Sequence, residues 1–150
     1  MVEPRIERFA RHLTQALDLL QRDAPLHFAT ARASLADASA AIHIDGEPPL
    51  SVSLAASPWL RWNAEGSVEL RLGWADLMDL LRGESTFEEA IDGGKLCLRG
   101  AVGPLVQFME ALSAGLHGAL RAPSLARAHL AYLADSDAMS LAGGPQKRES

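Results

Sequence analysis

The feature that most constrains this chain is a double switch in the spacing of its apolar residues. Near the start, Ile6, Phe9, Leu13, Leu17 and Leu20 recur every three or four residues. That is one face of a 3.6-residue period and predicts an amphipathic helix. Pro4 suits its first turn, where a missing N–H costs nothing, and Pro25 is read as its end. From about residue 26 to 72 the period becomes two. Ala40, Ile42 and Ile44 alternate with Ala41, His43 and Asp45; Leu50, Val52 and Leu54 with Ser51 and Ser53; Val68, Leu70 and Leu72 with Ser67, Glu69 and Arg71. Such runs are strands of a sheet with one apolar and one polar face. Residues 26–35 are read as a further strand. Asp45-Gly46 with Pro48-Pro49, and Asn63 to Gly66, supply the turns.

After residue 72 the helical period returns. Leu77, Leu80 and Leu81 form a short stripe that Gly83 stops. Ser85 to Glu88 has capping-box spacing and opens a helix through Ile91. Lys95 to Arg99 alternates again as a fifth strand. Pro104 then opens a long helix carrying Leu105, Phe108, Met109, Leu112, Leu116 and Leu120, with Gly115 and Gly118 in its interior. Each glycine costs a helix about 1 kcal/mol relative to alanine, so close packing or open space beside the helix must offset it. Residues 125–134 form a last helix, apolar on nearly every side, with Ser124 as its N-cap. The expected organisation is one domain over 1–142 and a disordered tail over 143–150.

Composition narrows the function. At 48% hydrophobic and 22% charged residues, 150 residues support a core with apolar surface left over. The net charge of −5, with single, scattered arginines, argues against a nucleic-acid partner. One cysteine, Cys97, excludes an internal disulfide and a cysteine-rich zinc site. The absence of a signal sequence and of a run of about 20 apolar residues leads to the expectation of a cytoplasmic protein without integral membrane association. The five histidines show no His-x-x-x-His pair, and there is no Gly-x-Ser-x-Gly elbow or phosphate-cradling loop. No metal site, no cofactor and no catalytic residue are therefore expected. Cys97 alternates with Leu96 and Leu98 and is read as lying on the sheet's polar face.

The segment from Gly73 to Leu112 resembles the second half of a sterol carrier protein two domain. The matching positions are Asp76, Leu77, Leu80, Leu81, Gly83, Phe87, Ala90, Gly94, Lys95, Leu96 and Gly100. In outline the resemblance spans about 130 residues. It implies an α+β fold: a five-stranded, mainly antiparallel sheet with helices packed on one face, enclosing an apolar tunnel. By the same resemblance the partner is a hydrophobic small molecule: a fatty acid, an acyl-CoA or a sterol-like compound.

Two walls follow. Phe108, Met109, Leu112 and Leu116 would line one side, and Leu77, Leu81, Phe87 and Ile91 the other; from the residues alone, both sets read equally as plain core. The last helix is a lid, a homodimer contact or core. Trp59 and Trp62 either stack on a ligand ring or cap a core edge. Two alternatives stand beside the carrier. One is a small enzyme of cyclase or isomerase type, which needs His27, Asp76 or Glu89 in the cavity. The other is an accessory module whose groove holds another chain's helix.

Overall fold

The computed structural model describes residues 3–55 and 57–149, with side-chain surroundings as far as Met139. Among the described residues there are six helices: α1 (Arg5–Asp23), α2 (Pro25–Leu35), α3 (Trp74–Arg82), α4 (Phe87–Asp92), α5 (Val102–Ala119) and α6 (Pro123–Glu149). The strands are β1 (Ala40–Ile44), β2 (Leu50–Val52), β3 (Leu60–Trp62), β4 (Val68–Leu72) and β5 (Leu96–Gly100). They form one sheet in the order β3-β2-β1-β4-β5. Three ladders are antiparallel, and the central β1–β4 ladder is parallel, pairing Ala40 with Val68 and Ile44 with Leu72.

That register explains the alternation. Ile42, Leu50, Leu70 and Leu98 fall in one cross-strand row, and Ala41, Ser51, Glu69 and Arg99 in the next. The first row meets the helices. The second belongs to a polar face with exposed Arg61, Arg71, Cys97 and Arg99. The α+β architecture, with helices on the apolar face of a mainly antiparallel five-stranded sheet, is thus present.

Several elements differ from the sequence reading. Residues 26–35 are helix α2 rather than a strand. Pro25 sits at its first turn, and Phe28, Ala31 and Leu35 are buried at helical spacing. The alternating alanines mimic period two, but alanine is the strongest helix former. The strand expected at 26–35 is replaced in the sheet by β3, only three residues long and too short to show a period, while the strand expected at 95–99 is present as β5. The capping box lies one residue later than expected. Thr86 accepts from the Glu89 amide and Glu89 Oε1 from the Thr86 amide, at 3.1 and 2.9 Å. The last helix starts at Pro123 and runs to Glu149, past the 125–134 span and into residues read as tail; Ser150 lies outside the described residues. Ser124 is not its N-cap; its hydroxyl donates to Asp23 at the end of α1.

The core divides in two. One cluster joins Ile6, Phe9, Ile44, Val68, Leu72, Leu77, Leu96 and Tyr132 across α1, α3, α6 and the sheet. The other joins Leu20, Phe28, Leu35, Leu54, Trp59 and Ala111 across α1, α2 and α5. Leu60 and Phe108 pack against both. Buried Trp59 packs on Phe28 and donates from Nε1 to Asp18 at 2.9 Å, whereas Trp62 on the edge strand is 43% exposed. Both therefore serve the protein's own packing and its edge.

Candidate functional site

An apolar cavity of about 350 Å³ lies between the two core clusters. Its floor is the sheet, through Ala40, Ile42, Val52 and Leu70. One wall is α1, through Leu13, Leu17 and Leu20, and another is α2, through Ala31 and Leu35. The roof is α5, through Phe108, Ala111, Leu112, Gly115, Leu116 and Ala119, with Phe87 of α4 and Leu125 of α6 at its ends. Every residue lining this space is apolar.

Space is left because the facing positions are small. Ala16, Ala31, Ala40, Ala111, Gly115 and Ala119 all turn toward it. A bulky residue at one or two of these positions would fill the gap that packing otherwise closes. Leu116 borders the cavity yet is 58% exposed, which marks the mouth. The two glycines of α5 differ in kind. A Cβ on Gly115 would meet only Leu20 Cδ2 at 3.9 Å, whereas one on Gly118 would lie 2.7 Å from both His27 Cβ and Leu20 Cδ1. Gly115 gives room and Gly118 gives close helix packing.

Of the eight residues expected to line a tunnel, Phe87, Phe108, Leu112 and Leu116 are brought together around this cavity. Phe87 and Phe108 form an inclined ring pair with centroids 6.1 Å apart. Leu77, Leu81, Ile91 and Met109 do not border it. Leu77 is buried in the first cluster, with Leu81 and Ile91 packed against that cluster, because α3 covers the other end of the sheet. Met109 turns to an outer depression beside Leu105 and Val106. The large contributions of α1 and α2 were not foreseen. The spacing of the α1 stripe predicts a helix face but no cavity wall, and the alternation over 26–35 predicts a strand.

His27, Asp76 and Glu89 do not border the cavity either. His27 lies in an open groove of about 750 Å³ between α2 and α5, with Thr30, Ser34, Glu110 and His117. Glu89 is held in the capping box, which lowers its pKa through the Thr86 amide and hydroxyl. Cys97 is exposed on the polar sheet face. Among the described residues no group of three or more His, Cys, Asp or Glu is placed to hold a metal, and no helix is long and apolar enough to cross a membrane.

Helix α6 docks on α1. Its Tyr132 is buried in the first cluster, and His129 Nδ1 lies 3.1 Å from His12 Nε2. Burial, with His129 adding to it, holds the His12 pKa down to about 4.

No protein-family model matches the chain, and no curated protein matches it by sequence. Solved structures do match. The sterol carrier protein domain 2 of Helicoverpa armigera is 14% identical, with a TM-score of 0.52, over 73% of this chain and 90% of that one. A crystal structure of sterol carrier protein 2 is 16% identical, with a TM-score of 0.51, over 71% and 92%. The ubiquinone synthesis protein UbiJ-SCP2 is 18% identical, with a TM-score of 0.51, over 77% and 98%. The chain therefore has the sterol carrier protein 2 fold.

Proposed function

We propose that this protein is a binding protein for a hydrophobic small molecule, held in the cavity between the sheet and α5. The observation that carries the reading is a wholly apolar space of about 350 Å³ in a fold shared with sterol carriers. Ligand sites begin at roughly 300 Å³. A cavity of ~150 Å³ takes benzene, so by proportion this one holds roughly 14 heavy atoms, a medium acyl chain. Burial at ~0.8 kcal/mol per methylene gives about 11 kcal/mol. If ordering costs take about half, the remaining ~5–6 kcal/mol corresponds to a Kd on the order of 100 µM. With no polar group in the lining, affinity follows apolar volume rather than headgroup chemistry.

Displacement of a fluorescent fatty acid, run against fatty acids, acyl-CoA and sterols, tests this reading. A prenylated quinone belongs in the panel because one protein of this fold acts in ubiquinone synthesis. The critical variant is Leu112→Trp, which fills the cavity beneath the mouth. It should weaken the probe at least about tenfold, while overpacking costs the fold only ~1–3 kcal/mol. Unchanged affinity per folded molecule would remove the cavity from consideration.

A further inference from the structure

One apolar stripe of α5 faces away from the rest of the molecule. Val102, Val106, Leu116 and Leu120 are 78%, 50%, 58% and 85% exposed. With Met109 and Ser113 they recur at alternating spacings of four and three residues. At about 100° per residue, all six fall within an arc of about 80°. The buried residues of the helix, Ala111, Ala114 and Gly118, lie on the opposite side. Alternating steps of three and four are the pattern of a seam between two packed helices.

The stripe holds both halves of such a contact. Val106, Met109, Glu110 and Ser113 stand at i, i+3, i+4 and i+7, and with Leu105 they border a shallow depression of about 370 Å³. Four residues so placed form the hole that a side chain of a facing helix enters. Leu116 projects from the same stripe one turn further on. When a second α5 lies antiparallel, with a two-fold axis level with Ser113, Leu116 of each copy enters the hole of the other. Leu120 of each copy then falls between Val102 and Val106 of the other. In this register Glu110 of one copy flanks His117 of the other, and the two-fold makes that contact twice. A parallel pair would set Glu110, the one charged residue of α5, against Leu105 instead.

We infer that the exposed face of α5 is an interface between two copies of this chain, packed antiparallel about Ser113. A two-fold contact needs one patch to be complementary to itself, and this stripe carries knob and hole at the spacing that the two-fold brings together. Leu116 also borders the mouth of the apolar cavity, so the second copy covers part of that mouth. The interface stands independently of what the cavity holds. A lipid surface fits the stripe less well. Interfacial helices carry Lys and Arg beside their apolar face, whereas the one charged residue of α5 is acidic. The strip is about 27 Å long and about 10 Å wide, well short of the ~800 Å² per partner of a stable complex. The pair is therefore transient, with a Kd on the order of 100 µM.

Sedimentation equilibrium of the full chain from about 10 µM to about 1 mM, a range that spans the expected Kd, should show the mean mass rising from one chain toward two. Val106→Asp puts a charge into the hole and lies outside the cavity lining. It should raise the Kd at least about tenfold, because the carboxylate would be buried without a partner. Glu110→Lys should raise it about three- to tenfold by removing two exposed pairs. Adding His117→Glu to that variant should bring the Kd back, since the exchanged charges meet again only in the antiparallel register. Should Val106→Asp fail to fold, Val102→Asp makes the same test at a position 78% exposed, through its contact with Leu120. A chain that stays monomeric up to about 1 mM, a dimer indifferent to the aspartate, or no recovery on the paired exchange would overturn the proposal. So would a monomeric chain that cosediments with phosphatidylcholine–phosphatidylglycerol vesicles, which would assign the stripe to a lipid surface.

Discussion

Replacing each of the two α5 glycines by alanine should move stability in opposite directions. In a helix interior the exchange gains about 1 kcal/mol from propensity alone. At Gly115 the new methyl faces the cavity and meets only Leu20 Cδ2 at 3.9 Å, an ordinary contact. Gly115→Ala should therefore stabilise by about 0.5–1 kcal/mol, a rise of roughly 1–4 °C in Tm for a chain of this size. At Gly118 the methyl would lie 2.7 Å from His27 Cβ and from Leu20 Cδ1. His27 Cβ is fixed to the α2 backbone, so α2 and α5 must move apart. Overpacking of this kind costs ~1–3 kcal/mol, and after the propensity gain the net effect of Gly118→Ala should be a loss of up to about 2 kcal/mol. Urea unfolding of both variants, read by far-UV circular dichroism, measures the difference directly. The same pair separates in binding, because the Gly115 methyl takes volume from the ligand space whereas Gly118 lies outside the cavity lining. If Gly118→Ala proves as stable as Gly115→Ala, close packing of α2 on α5 is not what the glycine serves, and the contrast drawn between the two positions fails.

Two further outcomes can be checked. Thr86→Ala should cost about 1 kcal/mol by removing the N-cap, and Ser85→Ala close to nothing, which chemical denaturation of both variants will show. The pKa of His12 falls from 6.5 in the unfolded chain to about 4 in the folded one, so the unfolded state binds more protons between these values. Stability should therefore decline as pH drops through that window, by at most about 3 kcal/mol, and His12→Phe should flatten this limb in thermal melts.

The sheet was legible where the period was long enough. β1 and β4 have five residues each, alternate cleanly, and pair in register. β3, with three residues, offers no period to read. Segment 26–35 is ambiguous in the sequence because its alanines satisfy both spacings and only the burial of Phe28, Ala31 and Leu35 decides between them. The cavity was half legible for a related reason. A search for large apolar side chains finds Phe87, Phe108, Leu112 and Leu116, but it finds Leu77, Leu81 and Ile91 equally well. What makes a hollow is small residues facing each other from different helices, as Ala31 and Ala111 do, and their meeting depends on tertiary packing. The His12–His129 contact joins positions 117 residues apart and leaves no local spacing to detect.

The sheet ends on two open margins, and their chemistry bears on how the protein behaves in a crowded solution. A free strand edge is a template for pairing with another molecule, which soluble proteins blunt with short strands and charge. β3 is three residues long and carries Arg61 at its centre. β5 is preceded by Lys95, bears Arg99, and closes on Gly100 with φ of 155°, where a side chain would collide with the Ser67 carbonyl oxygen at 2.8 Å. Both margins thus carry positive charge on a chain that is negative overall, so two copies meeting edge to edge would bring like charges together. Cys97, exposed on β5 between Lys95 and Arg99, lies within the same positive margin, which keeps the thiol of a second copy at a distance as well.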